Sequence, residues 1–144
     1  MRKDRRHRAR EAALQILYQW DIGHGEVAAA ATTFFGHQWP DREAPSDELR
    51  GFASSLACDT VGRLEAIDPL IAETTDRWRP ERMAILDRLI LRMAVCELLR
   101  DRETPPPVII NEALELARTF SSEESVKFIN GMLDAIRKKI ETHP

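Results

Sequence analysis

The chain has 144 residues, long enough for one domain, or two small halves sharing a core, to bury a hydrophobic centre without disulfide staples. Apolar residues make up 43% and charged residues 31%, a globular balance that excludes a low-complexity chain. The formal net charge of −3 hides an asymmetry: residues 1–10 hold Arg2, Lys3, Arg5, Arg6, Arg8 and Arg10 against the single acid Asp4, so this arm carries +5 and the other 134 residues −8. A uniformly basic coat protein is excluded, and an acidic body with a cationic arm remains.

From Arg8 to Asp21 strong helix formers place Ala9, Ala13, Ile16, Leu17 and Trp20 on one stripe, and Gly23 and Gly25 end the pattern. A softer, alanine-rich helix runs from about Glu26 to His37, closed by Pro40 and the polar linker DREAPSD. Ser46 is a candidate N-cap for a long helix to about Ala66, carrying Leu49, Phe52, Ala53, Leu56, Val61 and Leu64. Asp68 and Pro69 read as N-cap and first residue of a short helix that ends near Trp78 and Pro80. Residues 81–100 are apolar nearly all round, as a central core helix would be. The Pro105-Pro106-Pro107 run predicts an extended break, after which Ile109, Ala113, Leu116, Ala117 and Phe120 trace one helical face. Ser121 with Glu124 matches a capping box that opens a last helix, with Ile129, Met132, Leu133, Ile136 and Ile140 as its buried stripe. No alternating strand pattern occurs, so the class is all-α with about seven helices.

No run approaches the length of a membrane span and no apolar segment follows the charged N-terminus, which predicts a soluble, cytoplasmic protein. Cys58 and Cys96 lack CxxC spacing and sit in apolar runs as small hydrophobes. His7, His24, His37 and His143 stand singly, without metal-ligand spacing. With no glycine-rich phosphate loop, no GxSxG elbow, no nucleophile–base pair and no carboxylate dyad, neither catalysis nor a cofactor is expected.

Two features point outward. The arm is read either as a solvated basic tail or as a nucleic-acid edge, since clustered arginines gain affinity by releasing counterions from phosphates and can stack on bases. In the last helix, at about 100° per residue, Phe128 projects beside the core stripe, with Lys127 on the opposite face and Glu124 one turn earlier. Phe128 therefore either stacks an unpaired base or packs under a loop. Tyr18 leaves the first helix's stripe together with Leu14 and Arg10, with burial favoured over a partner surface. Arg88 and Arg92 share a face of the central helix, by default a solvated edge.

The blocks RRHRAREAALQILYQWD, ILDRLILRMAVCELL and PPPVIINEALELARTFSSEESVKFINGMLD, in this order after a basic arm, resemble the NusB transcription antitermination family over nearly the full chain. The weakest stretch is roughly 23–64. The resemblance implies two stacked three-helix bundles with an extra short helix: a single RNA-binding domain over 1–144, with arm 1–10, an N-terminal half of roughly 8–78 and a C-terminal half of roughly 81–141. It also implies a non-enzymatic factor that binds the boxA element of nascent ribosomal RNA leaders together with the ribosomal protein NusE and loads onto RNA polymerase. Residue by residue, it implies RNA contacts at the arm cations and at Glu124, Lys127 and Phe128, with Val126 less suited to RNA than a polar residue. Tyr18 matches a partner-binding position, and Asp87, with Arg88 and Arg92, lies in the corresponding central-helix segment. Two other readings stand beside it: a protein adaptor whose arm docks on an acidic partner, and an RNA-binding module like those fused to RNA methyltransferases. Ending at Pro144 without a cofactor-binding domain, the chain favours the free factor. Monomer and homodimer both remain open for the unbound protein.

Overall fold

Residues 3–22 contain neither glycine nor proline and are rich in Arg and Ala, with Leu and Gln beside them, all good helix formers. Accordingly, helix α1 spans Lys3–Gly23 and absorbs the basic arm into its first turns. The computed structural model describes residues 3–75 and 79–142, Lys3 and Asp4 by backbone alone. Arg2, the Lys3 side chain, Trp78 and His143 lie outside the described residues. The chain divides after Val61 into two units.

In the first unit α1 buries Ala9, Ala12, Ala13, Leu14, Ile16 and Leu17, a wider face than the single stripe predicted, and packs on α2 (Val27–Thr33). The left-handed cap that ends α1 falls on His24 (φ 58°) rather than on a glycine, its N–H donating to the Trp20 carbonyl at 2.9 Å. Helix α2 runs into a π-helical turn, Phe34–Gln38, so the helix expected to about His37 is continuous but changes its hydrogen-bond pattern. Buried Phe34 meets Phe35 and Trp39 edge to face, with centroids 5.1 and 6.1 Å away. Helix α3 (Asp47–Gly62) starts as predicted, with Ser46 Oγ accepting the Leu49 N–H at 3.1 Å.

Gly62 and Arg63 then break the helix that the sequence carried to Ala66, and α4 (Leu64–Thr74) begins at once. Pro69 lies inside α4 rather than at its start. Its missing N–H frees only the carbonyl of exposed Glu65, which water can satisfy. Residues 64–74, expected in the N-terminal half, pack instead on α5 and α7 of the second unit.

A 3₁₀ turn (Pro80–Arg82) precedes α5 (Ile85–Arg100), which contacts α4, α6 and α7 and is buried from Leu89 to Leu98 except at Arg92. It is the central helix its composition predicted. Only Pro105 is extended (ψ 136°); Pro106 and Pro107 form the first turn of α6 (Pro106–Phe120), where their missing N–H groups have no intrahelical partner to lose. In α7 (Glu123–Thr142), Ile129, Met132, Leu133 and Ile136 are buried as projected, with Ile140 half-buried. Its cap is Ser122 rather than Ser121, for Ser122 Oγ accepts the Ser125 N–H at 3.1 Å. Seven α-helices and no strand occur among the described residues, and no described helix is long and apolar enough to cross a membrane.

Candidate nucleic-acid interface

Helical spacing sorts the arm cations into two sets. Arg6 and Arg10, one turn apart, face α3, their guanidinium carbons 5.5 and 5.4 Å from the Phe52 ring centre. Arg10 is only 2% exposed, which corrects its expected place on an RNA-facing edge: its charge lies against Phe52 and ties α1 to α3. Arg5 is exposed. Arg8, with 41% of its side chain exposed, donates to Asp41 at 2.5 Å, lies 3.6 Å from Glu11 and covers the Trp39 ring at 5.4 Å. Among the described arm residues, the outward charge is thus carried by Arg5, Arg8 and the exposed part of Arg6, on a regular helix whose N-terminal dipole adds positive potential.

The second unit presents the start of α7. Glu124 and Lys127 are exposed and Phe128 is half-buried, while Val126 (7% exposed) and Ile129 belong to the core. Packing therefore accounts for the apolar residue at 126. Asp87, at the start of α5, receives hydrogen bonds from Ser121 Oγ (2.5 Å) and Ser125 Oγ (2.6 Å), and the two hydroxyls also contact each other at 2.9 Å. Together with the Ser122 cap, this latch sets where the first turn of α7 lies, and with it Glu124, Lys127 and Phe128.

Of the residues expected at a partner surface, Tyr18 is 40% exposed, against the burial that the helical projection favoured. Ile22, one turn on and 55% exposed, extends the same face, a position that no sequence pattern singled out. Leu14, projected with Tyr18, is buried. Asp87, Arg88 and Arg92 are engaged within their own unit. Arg88 donates to the Pro80 carbonyl and secures the 3₁₀ turn. Arg92 makes a bidentate pair with Asp68, both bonds 2.9 Å, with 12% and 32% of the two side chains exposed. Such a half-buried pair lies between the small value of surface pairs and the large cost of stripping one partner from a buried pair. Asp68→Ala is expected to lower stability by about 2 kcal/mol, and Arg92→Lys by less, in urea unfolding. Unchanged midpoints would return Arg92 to the role of a solvated edge.

Asp41 lies in the polar linker and Trp39 just ahead of it, and the sequence patterns singled out neither. The available signal was a lone tryptophan in an otherwise polar stretch. Burial, with Asp59 beside it, pushes the Cys58 thiol up, away from the lowered pKa of a reactive cysteine, and Cys96 is buried. No cluster of metal-ligating side chains occurs among the described residues.

Comparison with known proteins places these surfaces in context. The NusB family profile matches residues 7–138. The transcription antitermination protein NusB of Koribacter versatilis (strain Ellin345) is 45% identical over 136 residues, covering 94% of this chain and 90% of that protein. Among solved structures, T. maritima NusB superposes with a TM-score of 0.83 at 29% identity, covering 96% of this chain and 94% of the other. A chain from the crystal structure of the antitermination factors NusB and NusE in complex with dsRNA shares the fold, with a TM-score of 0.82 at 24% identity over 96% of this chain and 99% of that one.

Proposed function

The chain belongs to the NusB family, and on that premise we propose that it is a transcription antitermination factor that binds the boxA element of nascent ribosomal RNA leaders together with the ribosomal protein NusE and loads onto RNA polymerase. The observation that carries RNA binding is the presentation of Arg5 and Arg8 on the outside of a regular helix in a protein whose remaining charge is acidic. Held on a helix, these guanidinium groups meet a phosphate backbone with little further ordering cost, and each neutralised phosphate releases condensed counterions. Lys127 adds a cation at the start of α7, and the open edge of Phe128 offers a surface for one unpaired base. The Tyr18–Ile22 face is the apolar patch for NusE, and the acidic body favours approach of a basic ribosomal protein. The function is binding and assembly in the cytoplasm, without a catalytic step.

The deciding experiment titrates the protein with a boxA-like single-stranded RNA and a scrambled RNA of equal length, each with and without NusE. Preference for the boxA-like strand, tightened by NusE, is the expected result. Equal, weak binding of both strands alongside a firm complex with NusE would instead identify a protein adaptor. Because part of its ring is already packed, Phe128→Ala is expected to weaken the boxA-like complex by about 1 kcal/mol, the low end for a stacked base. No loss would leave Phe128 a packing residue.

A further inference from the structure

We propose that Trp39, with Arg8 and Arg5, forms a second base-stacking subsite for single-stranded RNA, on the N-terminal unit; the proposal rests on the RNA-binding reading above. The Trp39 indole is half-buried yet held at the surface in a fixed orientation. Its Nε1–H donates to the Glu43 carbonyl at 2.9 Å, and Phe34 and Phe35 support it with centroids 6.1 and 5.8 Å away. In front of it lies an open cavity of about 380 Å³, lined by Arg5, Arg8, Trp39, Asp41, Glu43 and Pro45 among others. That volume is within the range of small-ligand pockets, about 300–1,000 Å³. A second cavity of about 330 Å³ shares Arg8, Trp39 and Asp41.

The chemistry of the lining selects a nucleotide. An anchored indole face beside two guanidinium groups is what recognition of unpaired bases requires, one flat apolar surface for the base and adjacent cations for its phosphates. The site also adjoins Arg5, one of the exposed cations of α1. A bare phosphate is not favoured, because Arg5 and Arg8 are balanced by Asp41 and Glu43 in the same lining. At 5.4 Å from the ring centre, the Arg8 guanidinium leaves no room for a base between it and the indole. The base therefore takes the place of Arg8 on the ring, and Arg8 exchanges its 2.5 Å pair with Asp41 for the phosphate of the stacked nucleotide. Asp41 acts as a competitor that RNA must displace.

The test uses the full chain with the boxA-like and scrambled single-stranded RNAs. Trp39→Leu is expected to weaken binding about tenfold without changing the slope of log affinity against log salt, since no charge is removed. Trp39→Phe keeps a flat ring and is expected to stay within about threefold of the parent. Asp41→Asn releases Arg8 and is expected to tighten binding several-fold with the slope little changed, because Arg8 neutralises the same phosphate in both complexes. RNA should also quench tryptophan fluorescence in the parent, with that quench lost in Trp39→Phe although binding persists. Melting curves show whether Trp39→Leu loosens the Phe34–Phe35 cluster; the quench and Trp39→Phe do not depend on that variant. Parent-like affinity of a folded Trp39→Leu, or a quench retained in Trp39→Phe, overturns the subsite. No gain in Asp41→Asn overturns the exchange of Arg8. A parent protein that binds neither RNA removes the RNA-binding reading itself, a different failure from binding that ignores Trp39.

Discussion

Replacing Arg5, Arg6 and Arg8 together by alanine is expected to weaken boxA-like RNA binding by up to about 100-fold near 0.1 M salt, and to flatten the salt dependence by about 2 in slope. Both figures follow from counterion release, in which each phosphate neutralised on a single strand contributes about 0.7 to the slope. They are upper values, because Arg6 spends part of its charge on Phe52 and Arg8 on Asp41 and Trp39, whereas Arg5 is exposed. The informative control is Arg10→Ala. It removes one arginine charge from the same helix, but the side chain is 2% exposed and lies over Phe52. Its loss is expected to lower stability by about 1–2 kcal/mol, through a desolvated cation–π contact and lost packing, with the salt slope intact. Salt titrations of both variants beside their melting curves separate the roles. A slope that survives the triple substitution would mean that the arm does not touch RNA.

The second large effect is expected from Asp87→Ala. Two charge-assisted hydrogen bonds join this carboxylate to Ser121 and Ser125. At the low end of the value for bonds to a charged group, their joint loss corresponds to about 3 kcal/mol. For a chain of this size that is a fall in melting temperature of about 10 °C. RNA binding is expected to weaken as well, because the first turn of α7, on which the placement of Lys127 and Phe128 in the next turn depends, is no longer fixed relative to α5. Asp87→Asn, which keeps the shape and one good acceptor, should recover part of both losses. If Asp87→Ala instead leaves melting and RNA affinity unchanged and abolishes only NusE binding, the direct partner role implied by resemblance is the right one. The latch also explains why two serines precede α7, since Ser121 bonds α5 while Ser122 caps the helix.

Much of the architecture was legible because it depends on local period and composition. Helix α7 and the face of α6 follow from apolar residues recurring every three or four positions, and α5 from being apolar on every side. The breaks were harder to place. Asp68-Pro69 looks like a helix start, and only the Arg92 partner, 24 residues away, shows what Asp68 does. The capping-box spacing to Glu124 favours Ser121 by sequence; the distant carboxylate of Asp87 engages Ser121 and leaves the cap to Ser122.

By itself the sequence determined the all-α class, most of the core stripes, the basic N-terminus on an acidic chain, and the blocks that carry the family resemblance. Each of these depends on neighbours within a few turns or on simple sums of charge. Tertiary structure alone decided which cations and aromatics face outward. Arg5, Arg6, Arg8 and Arg10 are chemically alike and close together, yet Phe52 and Asp41, more than 30 residues away, engage three of them and leave Arg5 exposed. The exposure of a charge is a property of what packs against it, and periodicity along one helix does not contain that information.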